Sequence, residues 1–208
     1  MADRYLTVAR TGVHESEIKR SRFLCTLAPA ADEEAAQAVI RAVRRGHPAA
    51  THNCFAYVIG PDVRLHRASD DGEPGGTAGT PMLQVLLGRE VRDTVAVVTR
   101  YYGGIQLGAG GLARAYGGAV SAALDEIGTV ERRRLALLTV TVDHARAGRL
   151  ENDLRSAGHV LREVRYGADV TLALGVPEGE VAAFTSWLAD VTSGAARCEA
   201  AGSAYVDM

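Results

Sequence analysis

Two glycine-rich segments enclose a short helical stretch and a continuous apolar run, and this arrangement restricts the fold more than any other part of the chain. The first segment, SDDGEPGGTAGTP over residues 69–81, holds four glycines and two prolines in thirteen residues. That density excludes regular structure over most of its length. A helical stretch near Met82 to Leu87 follows, and then the run Thr94 to Thr99, which shows no polar alternation. Such a run is the pattern of a strand covered on both faces. The second glycine segment, YYGGIQLGAGG over 101–111, feeds a helix in which Leu112, Tyr116, Ala119, Val120, Ala123 and Ile127 share one face and Gly128 closes the end. Gly117-Gly118 inside that helix costs about 1 kcal/mol per glycine relative to alanine. Close approach of the helix to a sheet is the expected reason for them.

The flanking sequence completes an α/β unit. Residues Val13 to Leu27 read as extended, with Lys19-Arg20-Ser21-Arg22 preceding Phe23-Leu24-Cys25. Asp32 caps a helix whose Ala35, Val39 and Val43 recur every four residues, with Glu33 and Glu34 at its positive end and Arg44 and Arg45 at its negative end. Gly46 stops it before Pro48. Asn53 to Ile59 is a buried strand, and Gly60-Pro61-Asp62 turns it into a second strand over Val63 to Ala68. Beyond Gly128 the order changes. Strands over 135–142, 160–166, 170–176 and 197–206 alternate with helices marked by Leu150, Leu154 and Ala157 and by Val181, Phe184, Leu188 and Val191. This βαββαβ order is the ferredoxin-like plan. The expectation is a mixed α/β (α+β) chain of two domains, 1–130 and 131–208, with Glu131-Arg132-Arg133-Arg134 as a polar junction.

Charge limits the partners. The chain carries 23 basic and 25 acidic residues, a net charge of −2, and neither half is a polyelectrolyte. Residues 1–130 hold 14 of each sign, and 131–208 hold 9 basic and 11 acidic. Any nucleic-acid contact is therefore a local patch. The basic set is 22 Arg with the single Lys19. Arginine suits bidentate phosphate contacts, but the same bias follows from a GC-rich genome. No run of 18 apolar residues occurs, and the start Met1-Ala-Asp-Arg-Tyr lacks an apolar signal core, so the expected location is cytoplasmic with no membrane partner. Cys25, Cys54 and Cys198 form no Cys-x-x-Cys pair and read as reduced thiols without a metal frame.

Both loops carry candidate chemistry. Ser69-Asp70-Asp71-Gly72-Glu73 places three carboxylates within four residues, and two upstream histidines, His66 and His52, come near if their strands pair. With His52, Asn53 and Thr77 the residues of this segment make a polar site loop. One reading is a metal-assisted hydrolase. The other is a turn whose carboxylates accept backbone N–H bonds, and no metal or other cofactor is expected. In the second loop, Gly108-Ala-Gly110-Gly-Leu-Ala113 imitates a dinucleotide fingerprint, yet eight residues separate it from the strand end at Thr99. Gly103-x₄-Gly108 imitates half a Walker loop but lacks its Lys-Ser/Thr. What remains is a concavity of backbone N–H groups, built on Gly103, Gly104, Gly108, Gly110 and Gly111 and leading into a helix N-terminus. Arg100 and Arg114 flank it, and Tyr101 and Tyr102 offer faces for a base. Alternatively the glycines only let strand and helix pack closely, with one of the two tyrosines in the core.

The segments HNCFAYVIG, ASDDGEPGGTAGTPML and VAVVTRYYGGIQLGAGGLARAYGGAV, in that order, together resemble the YigZ/Impact family. The resemblance spans about residues 17–128, and residues 135–208 resemble the family's smaller ferredoxin-like domain. It implies an amino-terminal domain similar to domain IV of elongation factor G, of the ribosomal-protein domain-2-like superfold, and a carboxy-terminal domain similar to domain V. It also implies a role around translation or nucleic-acid binding, the eukaryotic relatives being partner-binding regulators of the amino-acid starvation response. No catalytic residues carry over. Gly75-Gly76 stands where Pro-Ser-Gly is common, and Gln106 stands where Lys is common.

The leading expectation is a non-catalytic, translation-associated regulator. It would contact RNA, the ribosome or a translation-regulatory protein through the second glycine loop, Arg100, Tyr101, Arg114 and the stretch Lys19, Arg20, Arg22. The alternatives are a metal-dependent hydrolase using Asp70, Asp71, Glu73 and His52, and a protein–protein adaptor. Whether the acid loop and the second glycine loop face one cleft separates a ligand site from a scaffold.

Overall fold

The computed structural model describes residues 3–208. Met1 and Ala2, the start of the segment read as lacking a signal core, lie outside them. The chain divides into two units, one ending at Arg132 and the other spanning Arg133–Met208. The mixed α/β class expected from the sequence is what forms.

The first unit contains β1 (Arg4–Val8), β2 (Gly12–Ile18), β3 (Ser21–Pro29), α1 (Glu33–Gly46), β4 (His52–Ile59), β5 (Leu65–Ser69), α2 (Gly79–Gly88), β6 (Thr94–Tyr101) and α3 (Ala109–Ile127). Its main sheet has the order β2-β3-β6-β4-β5, with β3 and β4 both antiparallel to the central β6. Helices cover both faces of β6, which explains its unbroken apolar run. Val95 and Val97 pack with Tyr57, Ile59 and the Ala36 and Ile40 of α1. Ala96 and Val98 pack on the other face with Cys25, Cys54, Met82 of α2 and Val120 of α3. Each fully buried side chain of leucine or isoleucine size contributes about 1.5–3 kcal/mol of transfer free energy. The cap on α1 forms as its sequence implies, Ala35 N donating to Asp32 Oδ1 at 2.8 Å.

Four local features depart from the sequence reading. The single extended segment 13–27 is a hairpin, because Lys19 and Arg20 both take left-handed φ of 48° and 65°. A two-residue turn of this hand matches strand twist, but its usual Asn-Gly signal is absent. β1 had no visible periodicity; it bridges Leu6 to Val91, and Ala9 N donates to Gly128 O at 3.0 Å. Val63 has φ 55° and belongs to the turn before β5. Helix α2 begins three residues earlier than its apolar stretch, at Gly79.

The second unit contains β7 (Thr129–Val142), along which the chain enters it, then α4 (His144–Ser156), β8 (Val160–Tyr166), β9 (Val170–Pro177), α5 (Val181–Thr192) and β10 (Arg197–Asp207). The strand order β10-β7-β9-β8 is the βαββαβ arrangement. Val140, Val142, Leu172 and Leu174 face Leu150, Leu154 and Phe184 in its core. Glu131 to Arg134, expected as a junction, are part of β7, and the division between the units falls among them, between Arg132 and Arg133. Among the described residues no helix is long and apolar enough to cross a membrane.

Candidate functional site

The acid loop is held by its own carboxylates. Asp70 accepts from the backbone N–H groups of Gly76 (2.8 Å), Ala78 (3.0 Å) and Gly79 (2.9 Å), and so serves as the cap of α2. Burial opposes its charge, but these three donors outweigh burial and hold the carboxyl below the ordinary aspartate value. Asp71 takes a left-handed φ of 45°, accepts from Arg44 Nη2 at 2.6 Å and from Asn53 N at 2.7 Å, and lies with its carbonyl 2.8 Å from His52 Nδ1. Ser69 Oγ accepts from Asp71 N at 3.3 Å, and Thr77 Oγ1 donates to Pro74 O at 2.6 Å. Both aspartates are thus spent on folding the loop. Among the described residues no group of three or more metal-ligating side chains forms.

Glu73 is different. It is carried inward to 8% exposure and accepts from Tyr116 Oη at 2.7 Å and Arg100 Nη1 at 2.6 Å. Burial first, then neighbouring Cys54 and the Glu73 carboxylate, push the Tyr116 phenol far above its ordinary value, so it stays a donor. Burial likewise raises the Cys54 thiol to about 12; its Sγ donates to Asp70 O at 2.9 Å.

Strand register explains the row around this pair. Arg100 on β6 is directly opposite Phe23 on β3 and His52 on β4, so all three share the sheet face that α3 covers. The guanidinium lies between aromatic rings, 5.5 Å from the Phe23 centroid and 5.3 Å from that of Tyr102. Arg100 is 5% exposed, and its Nε has no hydrogen-bond partner. Because a carbonyl only accepts, His52 Nδ1 carries the proton it gives to Asp71 O. In the neutral ring Nε2 is then an acceptor, 4.0 Å from Glu73 Oε1.

The second glycine loop closes over this row. Gly103 lies so close to the hairpin turn that an added Cβ would sit 2.0 Å from Arg20 O, and Gly103 N donates to Ser21 Oγ at 3.1 Å. Gly104 and Gly108 have left-handed φ of 84° and 70°, which lets the loop double back into α3. The first N–H groups of a helix lack intrahelical acceptors. At α3 no side chain caps them, and no acidic residue stands in the first turn. The result is a cleft of about 470 Å³ with His52, Glu73 and Arg100 on one side and Tyr102, Gly108 and Ala109 on the other. The acid loop and the second glycine loop therefore face one cavity.

Not every expected residue lines it. Tyr101 takes the opposite face of β6, its hydroxyl 2.9 Å from His47 Nδ1. Arg22 is engaged by Glu15 at 2.7 Å. Asn53 is turned from the cleft, its Oδ1 accepting from Thr99 Oγ1 at 2.8 Å. Gly103 and Gly111 serve packing, the latter 3.2 Å from Leu107 Cβ were a Cβ present. Arg20 and Gly110 are exposed. Lys19 and Arg114 line a second cavity of about 300 Å³. Tyr102, Tyr116 and Leu107 carry more of the site than the sequence indicated. Period two along β6 would have put Arg100 and Tyr101 on opposite faces, but not shown which face α3 covers.

Comparison with known proteins agrees with this layout. The family model for the Impact N-terminal domain matches residues 19–124, and a domain of unknown function, DUF1949, matches residues 140–195. The chain is 47% identical to the IMPACT family member YvyE of Bacillus subtilis, over 93% of this chain and 89% of that protein. It is 43% identical to the IMPACT family member YigZ of Escherichia coli, over 86% and 88%. A crystal structure of a hypothetical protein superposes with a TM-score of 0.65 at 40% identity, covering 95% of this chain and 97% of that one.

Proposed function

This chain belongs to the IMPACT family, and from that premise we propose that it is a non-catalytic, translation-associated regulator whose cleft binds single-stranded RNA. The observation that carries the reading is the convergence of both glycine loops on one cavity that offers three complementary chemistries. A phosphate is served by the uncapped N-terminus of α3 and by the Arg100 guanidinium. A base is served by the ring of Tyr102, which is 47% exposed. A ligand donor such as a ribose hydroxyl is served by His52 Nε2. Asp70 and Asp71 support the site by shaping its wall.

The near-neutral net charge of the chain sets the expected strength. With only a local patch, affinity falls in the micromolar range at low salt and weakens steeply as salt rises. Fluorescence anisotropy with labelled single-stranded and hairpin RNA at 50 and 200 mM salt tests this. Single-stranded RNA is expected to bind more tightly than the hairpin. Absence of binding to either RNA at the lower salt overturns the reading.

A further inference from the structure

The cavity beside the cleft has chemistry of its own. It is lined by Lys19, Leu107, Gly111 and Arg114, and Leu107 also lines the cleft, so the two hollows adjoin across that side chain. Lys19 is carried there by the hairpin turn, which the close approach of Gly103 to Arg20 fixes against the second glycine loop. Arg114 stands one turn into α3, yet its guanidinium reaches back toward the start of the helix, where a Cβ on Gly110 would lie 3.6 Å from Nη1. A cation at the positive end of a helix is electrostatically unfavourable. No acidic side chain of the first turn offsets it, and both Lys19 and Arg114 are exposed. Neither belongs to any ion pair among the described residues, whereas Arg22, Arg44, Arg89 and Arg100 of the same unit all have carboxylate partners. Positive charge is thus collected beside a cavity, and among the described residues no carboxylate pairs with it.

We propose that this cavity is a second anion subsite, so that the ligand of the cleft is a strand with phosphates on both sides of Leu107 rather than a mononucleotide. This rests on the RNA reading of the cleft and specifies its ligand class. One phosphate is held at Arg100 and the N-terminus of α3, and a neighbouring phosphate of the same strand is held by Lys19 and Arg114. Leu107 forms the apolar saddle between them.

The test uses the full chain, uridine monophosphate and a labelled uridine hexamer. The hexamer is expected to bind at least tenfold more tightly than the monophosphate. Each phosphate contact on a single strand contributes about 0.7 to the slope of log K against log salt. The Lys19→Asn/Arg114→Gln double variant loses that one phosphate contact and should therefore lower the slope for the hexamer by about 0.7. Asparagine tolerates the left-handed backbone at position 19, and an unchanged melting profile confirms that the double variant is folded. Arg10→Gln/Arg41→Gln, which removes two exposed cations outside both cavities, controls for net charge and should leave the slope as it is. Equal affinity for monophosphate and hexamer overturns the second subsite and leaves the cleft reading standing. So does a slope that the double variant does not change. Failure of both probes to bind overturns the cleft reading itself.

Discussion

Arg100 Nη1 lies 2.6 Å from Glu73 Oε1, with side-chain exposures of 6% and 4%. The pair ties the first glycine loop to the central strand. Taking two charges out of water is costly, and attraction offsets that cost only while both partners remain. Removing one partner leaves an uncompensated buried charge, so Glu73→Ala or Arg100→Ala should each cost about 3–5 kcal/mol. That corresponds to a fall in melting temperature of about 6–20 °C. The apolar double variant Glu73→Leu/Arg100→Met should lose much less than the two single variants added together, because it strands no charge. Thermal unfolding followed by circular dichroism checks this; additive losses would show that the two charges are not coupled.

Asp70 provides the pH-dependent part of the same wall. Its carboxyl is held below the ordinary value of 3.8 in the folded chain. A depressed folded value means that its stabilisation is fully present above the unfolded value and is lost as pH falls through the folded one. Asp70→Asn should cost about 1–2 kcal/mol near neutral pH, the size of a helix cap carrying charge-assisted bonds. The difference between wild type and variant should stay constant from neutral pH down to about 5 and shrink below that. Urea unfolding across that range measures it, and a gap that does not narrow in acid would contradict the capping role.

Gly103 and Gly104 are adjacent but constrained for different reasons. A Cβ at Gly103 would meet the Arg20 backbone at 2.0 Å, whereas at Gly104 nothing lies within 4 Å and the constraint is a φ of +84°. Gly104→Ala should cost about 1–2 kcal/mol of backbone strain. Gly103→Ala should cost as much as overpacking does, about 1–3 kcal/mol or more. Only the second should also shift the amide resonances of Lys19, Arg20 and Ser21, since it pushes the hairpin turn away. Urea unfolding with amide spectra of both variants separates the two mechanisms.

The legibility of these features followed the range of the forces behind them. The βαββαβ order of the second unit, the cap at Asp32 and the two-faced burial of β6 were readable because periodicity, capping and apolar runs are local patterns. The Impact family resemblance was likewise readable from contiguous motifs. The hairpin turn at Lys19-Arg20 was not, because its left-handed backbone is imposed by packing against Gly103, 83 residues further along the chain. The roles of the acid loop divided for the same reason. Asp70, Asp71 and Glu73 are equivalent carboxylates in sequence, and only the distant positions of α2, Arg44, Arg100 and Tyr116 make two of them structural clamps and one a buried charge in the cleft wall.

The two neighbouring tyrosines give the sharpest mutational contrast for the cleft. They are consecutive in sequence, but the Tyr101 hydroxyl bonds to His47 at the end of α1 at 2.9 Å, whereas the exposed ring of Tyr102 lines the cavity and rests over Arg100 at 5.3 Å. A base stacked on an aromatic side chain contributes about 1–3 kcal/mol by alanine substitution, so Tyr102→Ala should weaken single-stranded RNA about 5- to 150-fold. Tyr102→Phe keeps the ring and should retain most of the affinity. Tyr101→Ala breaks a half-buried hydrogen bond, worth about 0.5–1.5 kcal/mol of stability, without touching the cleft. Anisotropy titrations of the three variants, each with a melting curve, distinguish a stacking platform from a purely structural tyrosine pair. If Tyr101→Ala and Tyr102→Ala lower affinity equally, the base does not sit on Tyr102.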